Sequence, residues 1–165
     1  MPVGTHQYLG ILSHDIWLYV PFHMKKTEAS AVRATIVMRT LNEEKYIGLC
    51  LSRVFSQKTD VPYEVIIVDS GSTDRTVEIA RQFPTRIITI PRSEFTYGRA
   101  LNRGCAAAKG IYCVFLSAHA IPATECWLAE LLSGFDDRTA ATFGSQIALP
   151  EANPLARRMI LVSWP

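Results

Sequence analysis

From residue 34 onward, short β-branched and aliphatic runs alternate with stretches whose apolar residues recur at helical spacing. The runs ATIVMR (34–39), YEVIIV (63–68), RIITI (86–90) and YCVFL (112–116) are typical of buried strands. Helical patterns separate the runs, and another follows at 127–135. Strands joined through helices predict an α/β fold, a mostly parallel sheet with helices on both faces. Residues 141–147 are predicted to form a fifth strand.

Local signals predict where the helices begin and end. Asn42 is the predicted N-cap of the first helix, because its short amide side chain can accept a backbone hydrogen bond. Pro84 is predicted to end the second helix. Lys109 and Gly110 are predicted to close the third helix as a basic last turn and a C-cap.

Size and charge limit the classes of function. A chain of 165 residues fits one domain. Its formal net charge of +2 is too small to predict nucleic-acid binding, so any anion site must be local. The four cysteines, at positions 50, 105, 113 and 126, show no C-x-x-C spacing. They are interpreted as reduced core thiols rather than as a zinc cluster or a disulfide framework.

The first 23 residues differ from the rest, since they carry no lysine or arginine and contain three of the four histidines. Met24, followed by Lys25 and Lys26, is typical of a translation start. We therefore predict that residues 1–33 are an N-terminal extension that is not native before Met24. The alternative is an amphipathic segment that docks on a membrane or a partner. Its longest apolar run is far shorter than the ~18 residues that a membrane span needs.

Three polar clusters, at 40–43, 69–74 and 117–119, follow predicted strands. Ligands of parallel sheets bind outside the carboxyl ends of the strands, so the clusters predict a ligand site there. A carboxylate at Asp69 can accept hydrogen bonds from a base or a ribose, and Gly71 lets the backbone approach a ligand closely. The alternative is a solvated turn in which Ser72 or Asp74 caps the next helix. Neither a G-x-G-x-x-G nor a G-x-x-x-x-G-K-[ST] motif is present, so a nucleotide would be held by carboxylates and hydroxyls.

Four segments occur in order along the chain: TLNE (40–43), VDSGSTD (68–74), FTYGRALNRG (95–104) and FLSAHAIPA (115–123) with Trp127 and Leu128. Together they resemble family 2 glycosyltransferases of the GT-A fold, particularly their rhamnosyltransferase-like bacterial members. The resemblance implies a GT-A-like nucleotide-sugar-binding domain over residues 34–155. Residues 156–165 are then interpreted as a truncated tail.

The resemblance also implies roles for individual residues. Residues of the first cluster, Thr40, Asn42 and Glu43, would line the nucleoside pocket. Asp69 would bind the base, and the residues around it would be Ser70, Gly71, Ser72 and Thr73. Arg99 and Asn102 would lie near the nucleotide or its diphosphate, in a locally basic segment that also contains Arg92, Arg103 and Lys109. For Arg103 and Lys109 an exposed helix face is the favoured interpretation.

The implied metal loop departs from the family pattern. Family members usually hold Mn²⁺ or Mg²⁺ with an Asp-x-Asp-like motif, whereas this chain has Ser117-Ala118-His119. Hard cations prefer carboxylate oxygens, and imidazole suits softer metals. Two interpretations stay open: His119 gives one ligand to Mn²⁺, or metal binding is weak or lost. A histidine at this place is also commonly a hydrogen-bonded loop residue.

The activity implied by the resemblance is inverting transfer of a sugar from a nucleotide-diphosphate sugar to a glycan or lipid-linked acceptor. The process would be bacterial surface polysaccharide synthesis, in the cytoplasm, with peripheral association at the inner face of the membrane and without nucleic acid. An inverting transfer needs a carboxylate base. None of the carboxylates after His119 is persuasive, and the base is expected beyond Pro165; those carboxylates are Glu125, Glu130, Asp136, Asp137 and Glu151.

Two other functions remain open. The chain could be a non-catalytic nucleotide-sugar-binding module or an inactive remnant of the enzyme. It could also be a nucleotidyltransferase-like α/β enzyme, which the absence of a glycine-rich lysine loop at the first strand disfavours.

Overall fold

The computed structural model describes residues 17–19 as backbone, and residues 32–145 and 147. The strands in this part of the chain are β1 (Trp17–Tyr19), β2 (Ala34–Thr40), β3 (Tyr63–Asp69), β4 (Arg86–Thr89) and β5 (Tyr112–Ser117). The helices are α1 (Ile47–Phe55), α2 (Thr76–Ala80), α3 (Tyr97–Ala107) and α4 (Trp127–Ser133), and a 3-10 turn spans Arg92–Glu94.

The strands form one sheet in the order β1-β5-β2-β3-β4. The pairs β2–β3, β2–β5 and β3–β4 are parallel, which confirms the four predicted strands and the mostly parallel sheet. The short strand β1 pairs antiparallel with β5, with Trp17 opposite Phe115. Part of the stretch predicted to be an extension therefore takes part in the sheet. That the native chain starts at Met24 stays a prediction.

Successive strand residues point to opposite faces of the sheet, and helices cover both faces. On one face, strand residues such as Ile36 and Ile67 pack with residues of α1 and α4. On the other face, Val37 and Val68 pack with Ala100 of α3. This two-sided burial explains why the strands read as continuous apolar runs rather than as alternating ones.

The predicted fifth strand is wrong for residues 141–145 and 147, which are not part of the sheet. This segment instead packs on α4, where the Thr142 hydroxyl donates a hydrogen bond of 2.8 Å to the carbonyl of Leu131. No helix of the described residues is long enough to cross a membrane, since α3, with 11 residues, is far below the ~20 that a span requires. Residues 156–165 lie outside the described residues.

Three predicted helix boundaries are also wrong. Helix α2 ends at Ala80, before Pro84 is reached. Helix α1 begins at Ile47, and Asn42 has a positive φ of 53°, whereas an N-cap residue adopts an extended backbone. Helix α3 ends at Ala107, so Gly110 is not its C-cap. Gly110 lies against the start of β2, where a Cβ would come within 2.5 to 2.7 Å of backbone atoms of Ala34 and Thr35. The glycine is required for this close approach.

Gly104 sets how closely α3 lies to the sheet. A Cβ at this position would be 2.1 Å from Cγ1 of Val37, which is fully buried in β2. Gly98, in the first turn of the same helix, is different, because a Cβ there would meet nothing within 4 Å. The helix surface at Gly98 therefore faces open space, whereas the surface at Gly104 contacts the sheet.

These two glycines give a matched stability prediction. We expect Gly104→Ala to lower the free energy of unfolding by ~1–3 kcal/mol, because the added methyl group overpacks the buried contact with Val37. Gly98→Ala should leave it unchanged or raise it by up to ~1 kcal/mol through helix propensity. Urea denaturation of both variants measures the difference. Equal stability of the two variants would contradict the close packing of α3.

Candidate functional site

The loops that follow β2 and β3 are hydrogen-bonded to each other. We call residues 41–46 and 70–76 the paired loops. Their bonds include Asn42 N to Ser72 Oγ (2.9 Å), Thr73 N to Asn42 Oδ1 (2.9 Å), Glu43 N to Thr76 Oγ1 (2.7 Å), Glu44 N to Asp74 Oδ2 (3.2 Å) and Arg75 N to Glu44 Oε2 (3.0 Å). The paired loops thus form one unit at the carboxyl edge of the sheet.

Asn42 is placed for this contact by its backbone. Its left-handed φ lets the backbone N–H and the side-chain oxygen face the same neighbouring loop. Asparagine is one of the few residues that adopt this conformation readily. The residue predicted to line a nucleoside pocket therefore also holds the loops together.

Asp69 organises its own loop. Its side chain is 2% exposed, and its carboxylate accepts hydrogen bonds from Gly71 N (3.1 Å), Ser72 N (3.1 Å) and the Ser72 hydroxyl. Gly71 has a φ of +83°, which a residue with a side chain rarely adopts. The predicted partner of the base is therefore also a structural residue of the turn.

The Asp74 carboxylate accepts hydrogen bonds from the first residue of α2. Its Oδ1 accepts from the amide N–H of Thr76 at 3.0 Å and from the Thr76 hydroxyl. Burial of the carboxylate favours its neutral form, but these bonds and the one from Glu44 outweigh that effect and lower the pKa of Asp74. The ionised carboxylate is thus stabilised just before α2, whose N-cap residue is Arg75 without a side-chain cap hydrogen bond.

Two buried hydroxyls at the same edge have no hydrogen-bond partner among the described residues. They are Thr40 Oγ1, in a residue that is 5% exposed, and Ser70 Oγ, in a residue that is fully buried. The two residues are neighbours, because Ser70 N donates to Thr40 O at 3.0 Å. An unpaired buried hydroxyl costs free energy, so it points to a missing partner.

The third polar cluster is joined to the paired loops through Glu43 and His119. Glu43 Oε1 lies 2.7 Å from His119 Nδ1, and both side chains are partly exposed. The thiol of Cys50 lies 3.3 Å from the carbonyl of Ala120. Burial, and secondarily the charge of Glu43, raises the pKa of Cys50 to about 12, so this thiol is neutral at ordinary pH.

The loop that would hold a metal does not offer a cation site of the family type. The described residues contain no group of three or more histidine, cysteine, aspartate and glutamate side chains that could hold a metal ion. The hydroxyl of Ser117 accepts a hydrogen bond of 3.1 Å from Nη2 of Arg39, so a guanidinium cation already lies at this loop. The donor set does not fit a carboxylate-held divalent cation.

Arg39 was missed by the sequence reasoning. It is the penultimate residue of β2, and its guanidinium carbon lies 4.3 Å from the centre of the Tyr97 ring at the start of α3. The available signal was a charged residue near the carboxyl end of an otherwise apolar strand.

Two predicted site residues lie apart from the paired loops. Arg99 and Asn102 are exposed on α3, and in the described part of the chain neither side chain is hydrogen-bonded to those loops. The backbone N–H of Arg99 donates to the N-cap hydroxyl of Thr96 at 3.1 Å. Their proximity to a nucleotide stays a prediction.

The carboxylates considered as bases are used elsewhere or are exposed. Glu125 forms an ion pair with Lys58, and Asp136 accepts hydrogen bonds from the residues that follow it. Glu130 lines a cavity of about 480 Å³ between α4 and residues 142–144, which none of the predicted site residues lines. Asp137 is exposed, and Glu151 lies outside the described residues.

The role of Asn42 in the paired loops gives a stability prediction. Asn42→Ala removes an acceptor worth about 1 kcal/mol and places alanine at a positive φ that costs a further ~1–2 kcal/mol. We expect the free energy of unfolding, measured by urea denaturation, to fall by the sum of these two contributions. Asn102→Ala is the control, because it changes the same side chain on an exposed helix face and should leave stability nearly unchanged. Similar results for both variants would rule out the loop contact as a stabilising interaction.

Comparison with known proteins identifies the family. The sequence model described as glycosyl transferase family 2 matches residues 35–164. Among curated proteins, the O-antigen chain rhamnosyltransferase WbaN of Salmonella anatum is 41% identical over 104 residues, which are 62% of this chain and 33% of that protein. The chain thus spans about a third of the length of this relative.

Solved structures agree with the fold. The mannosyltransferase PcManGT from Pyrobaculum calidifontis, in complex with GDP-Man and Mn²⁺, aligns with a TM-score of 0.56 and 28% identity over 65% of this chain and 33% of that one. Glucosyl-3-phosphoglycerate synthase from Mycobacterium tuberculosis, in complex with Mn²⁺, UDP and phosphoglyceric acid, aligns with a TM-score of 0.51 and 28% identity. The alignment covers 62% of this chain and 38% of that one. The GT-A fold is thereby confirmed, and the chain belongs to glycosyl transferase family 2.

Proposed function

We propose that this chain binds a nucleotide-diphosphate sugar at the carboxyl ends of β2 and β3, as the donor site of a glycosyltransferase. The observation that carries the proposal is the pair of buried hydroxyls of Thr40 and Ser70, which have no hydrogen-bond partner in the part of the chain that the structure describes. A nucleoside offers the ring nitrogens, carbonyls and ribose hydroxyls that could pair with them. A bound ligand would thus remove the cost of leaving these groups unpaired.

The paired loops are suited to hold a nucleoside because their shape is fixed before a ligand binds. Their mutual hydrogen bonds order Asn42, Glu43 and the turn from Ser70 to Thr73. Binding then costs little additional ordering entropy. Asp69 acts in this proposal by holding the turn in place, with its remaining acceptor capacity available to the base.

The proposed reaction is transfer of the sugar to a glycan or lipid-linked acceptor by inverting displacement, in the synthesis of a bacterial surface polysaccharide. The supporting fact is the similarity to a protein named as an O-antigen chain rhamnosyltransferase. The acceptor hydroxyl must lose its proton to a carboxylate, which we propose lies outside the described residues. The proposed location is the cytoplasm, at the inner face of the membrane, where a lipid-linked acceptor would be reached.

Removal of the two unpartnered hydroxyls tests the donor site. Thr40→Val and Ser70→Ala delete groups that are unpaired in the ligand-free chain, so stability should stay the same or rise. If each hydroxyl bonds the ligand, the affinity for a nucleotide-diphosphate sugar should fall roughly three- to tenfold per variant. Calorimetric titration with UDP-, dTDP- and GDP-sugars measures the affinity.

Thr35→Val is the matched control at the opposite end of β2. The Thr35 hydroxyl accepts from Gly110 N (2.9 Å) and donates to Glu64 (2.9 Å), so its removal should cost about 1–3 kcal/mol of stability. Its removal should not change nucleotide affinity, because this end of the strand is remote from the loops. Unchanged affinity in the Thr40 and Ser70 variants, or no binding by the folded chain, would refute the proposed site.

The alternative of a non-catalytic binding module makes a different prediction for the same chain. Both functions require donor binding, but only the enzyme releases the nucleoside diphosphate in an acceptor-dependent manner. Measuring this release with a membrane extract as acceptor source separates the two. Binding without release would favour the module for this chain.

A further inference from the structure

The guanidinium of Arg39 is held between two elements at the carboxyl edge of the sheet. Its Nη2 donates to Ser117 Oγ of β5 at 3.1 Å, and its Cζ lies 4.3 Å from the centre of the Tyr97 ring. Tyr97 is itself in edge-to-face contact with Phe95, which packs on the core under α3. The ring contact and the hydrogen bond together restrict where the guanidinium can lie.

The charges around this edge are unevenly distributed. The paired loops carry the carboxylates of Glu43, Glu44 and Asp74, with Asp69 at their base, and the cations of Lys45 and Arg75, so that carboxylates outnumber cations by four to two. A diphosphate placed over these loops would be repelled by like charge. The side that faces α3 carries Arg39 and the N-terminus of an 11-residue helix, where the helix dipole favours an anion. A bound nucleotide would therefore place its nucleoside towards the paired loops and its diphosphate towards Arg39.

One position on the α3 side is open to solvent. Gly98 is in the first turn of α3, and a Cβ there would meet nothing within 4 Å. The loop after β5 has no aspartate at the position where a carboxylate-held metal would be expected, and its Ser117 is bonded to Arg39 instead. A cation supplied by the protein thus lies where the family pattern would lead one to expect a metal.

We propose that Arg39 binds the diphosphate of the nucleotide ligand and neutralises its charge in place of a divalent metal, with Ser117 and Tyr97 as positioning residues. This inference rests on the proposed function, because it concerns the same site. A guanidinium can donate two parallel hydrogen bonds to phosphate oxygens, which makes it suited to the role. Binding of a nucleoside diphosphate should consequently be independent of Mn²⁺ and Mg²⁺.

The first arm of the test uses the unsubstituted chain. The affinities for UDP, dTDP and GDP are measured by calorimetry in EDTA and again with Mn²⁺. We expect saturable binding of one of them in EDTA, with less than about a threefold change on adding Mn²⁺, which corresponds to under ~1 kcal/mol. Binding that requires Mn²⁺ would overturn this inference and leave the proposed function intact. No binding under any condition would overturn both.

The second arm uses Arg39→Met, which keeps an unbranched apolar side chain and removes the guanidinium with its charge. We expect the affinity for the diphosphate to fall at least about tenfold, as a charge-assisted hydrogen bond implies, and that for the monophosphate to change much less. Arg39→Lys should retain an intermediate affinity. Arg103→Met is the matched control, since it removes one positive charge from an exposed position of α3.

Three results of this arm would overturn the inference. They are equal losses in Arg39→Met and Arg103→Met, equal losses for the mono- and diphosphate, and no loss in Arg39→Met. Thermal unfolding shows whether each variant is folded. If Arg39→Met fails to fold, the comparison of Arg39→Lys with Arg103→Met and the metal dependence of the unsubstituted chain decide the question.

Discussion

The parallel pairing of β2 with β3 is the constraint on which the candidate site depends. The register places Thr40 beside Asp69, so both strands end at the same level. Their following loops begin side by side, and each supplies donors and acceptors that the other needs. Asn42, Glu43 and Glu44 bond residues 72–76 instead of solvent. At this level the hydroxyls of Thr40 and Ser70 are buried and have no hydrogen-bond partner among the described residues.

A division of charge at this edge follows from the same arrangement. Carboxylates outnumber cations on the paired loops, and those of Glu44, Asp69 and Asp74 accept hydrogen bonds from backbone N–H groups of the turns. Positive charge gathers on the other side, where Arg39 lies between β5 and the start of α3. In the proposed site, the sheet edge would distinguish the two ends of a nucleotide, with hydrogen-bonding groups for the nucleoside and a cationic group for the phosphates. Such a local division of charge is compatible with an overall charge of +2.

Sequence reasoning located the strands of the parallel sheet because their β-branched runs are buried on both faces, a pattern that local composition carries. It also located the polar turn after β3, since Asp69 and Gly71 have conformational roles that depend on near neighbours. It failed where a distant partner decides the conformation. Asn42 is hydrogen-bonded to Thr73, which is 31 residues away in the chain. Residues 141–145 pack on α4 and do not join the sheet. Arg39 was missed because its contacts with Ser117 and Tyr97 arise only in the folded chain.

The measurement that tests the account most directly is a map of backbone amide shifts during titration with the nucleotide-diphosphate sugar. An 18.4 kDa chain is suited to two-dimensional ¹H–¹⁵N NMR. The account predicts shifts in the paired loops, in residues 117–119 and in the first turn of α3, with the amide of Gly110 at the opposite edge unchanged. Shifts confined to the cavity beside Trp127 and Phe143, or spread evenly over the chain, would contradict a donor site at the carboxyl ends of β2 and β3.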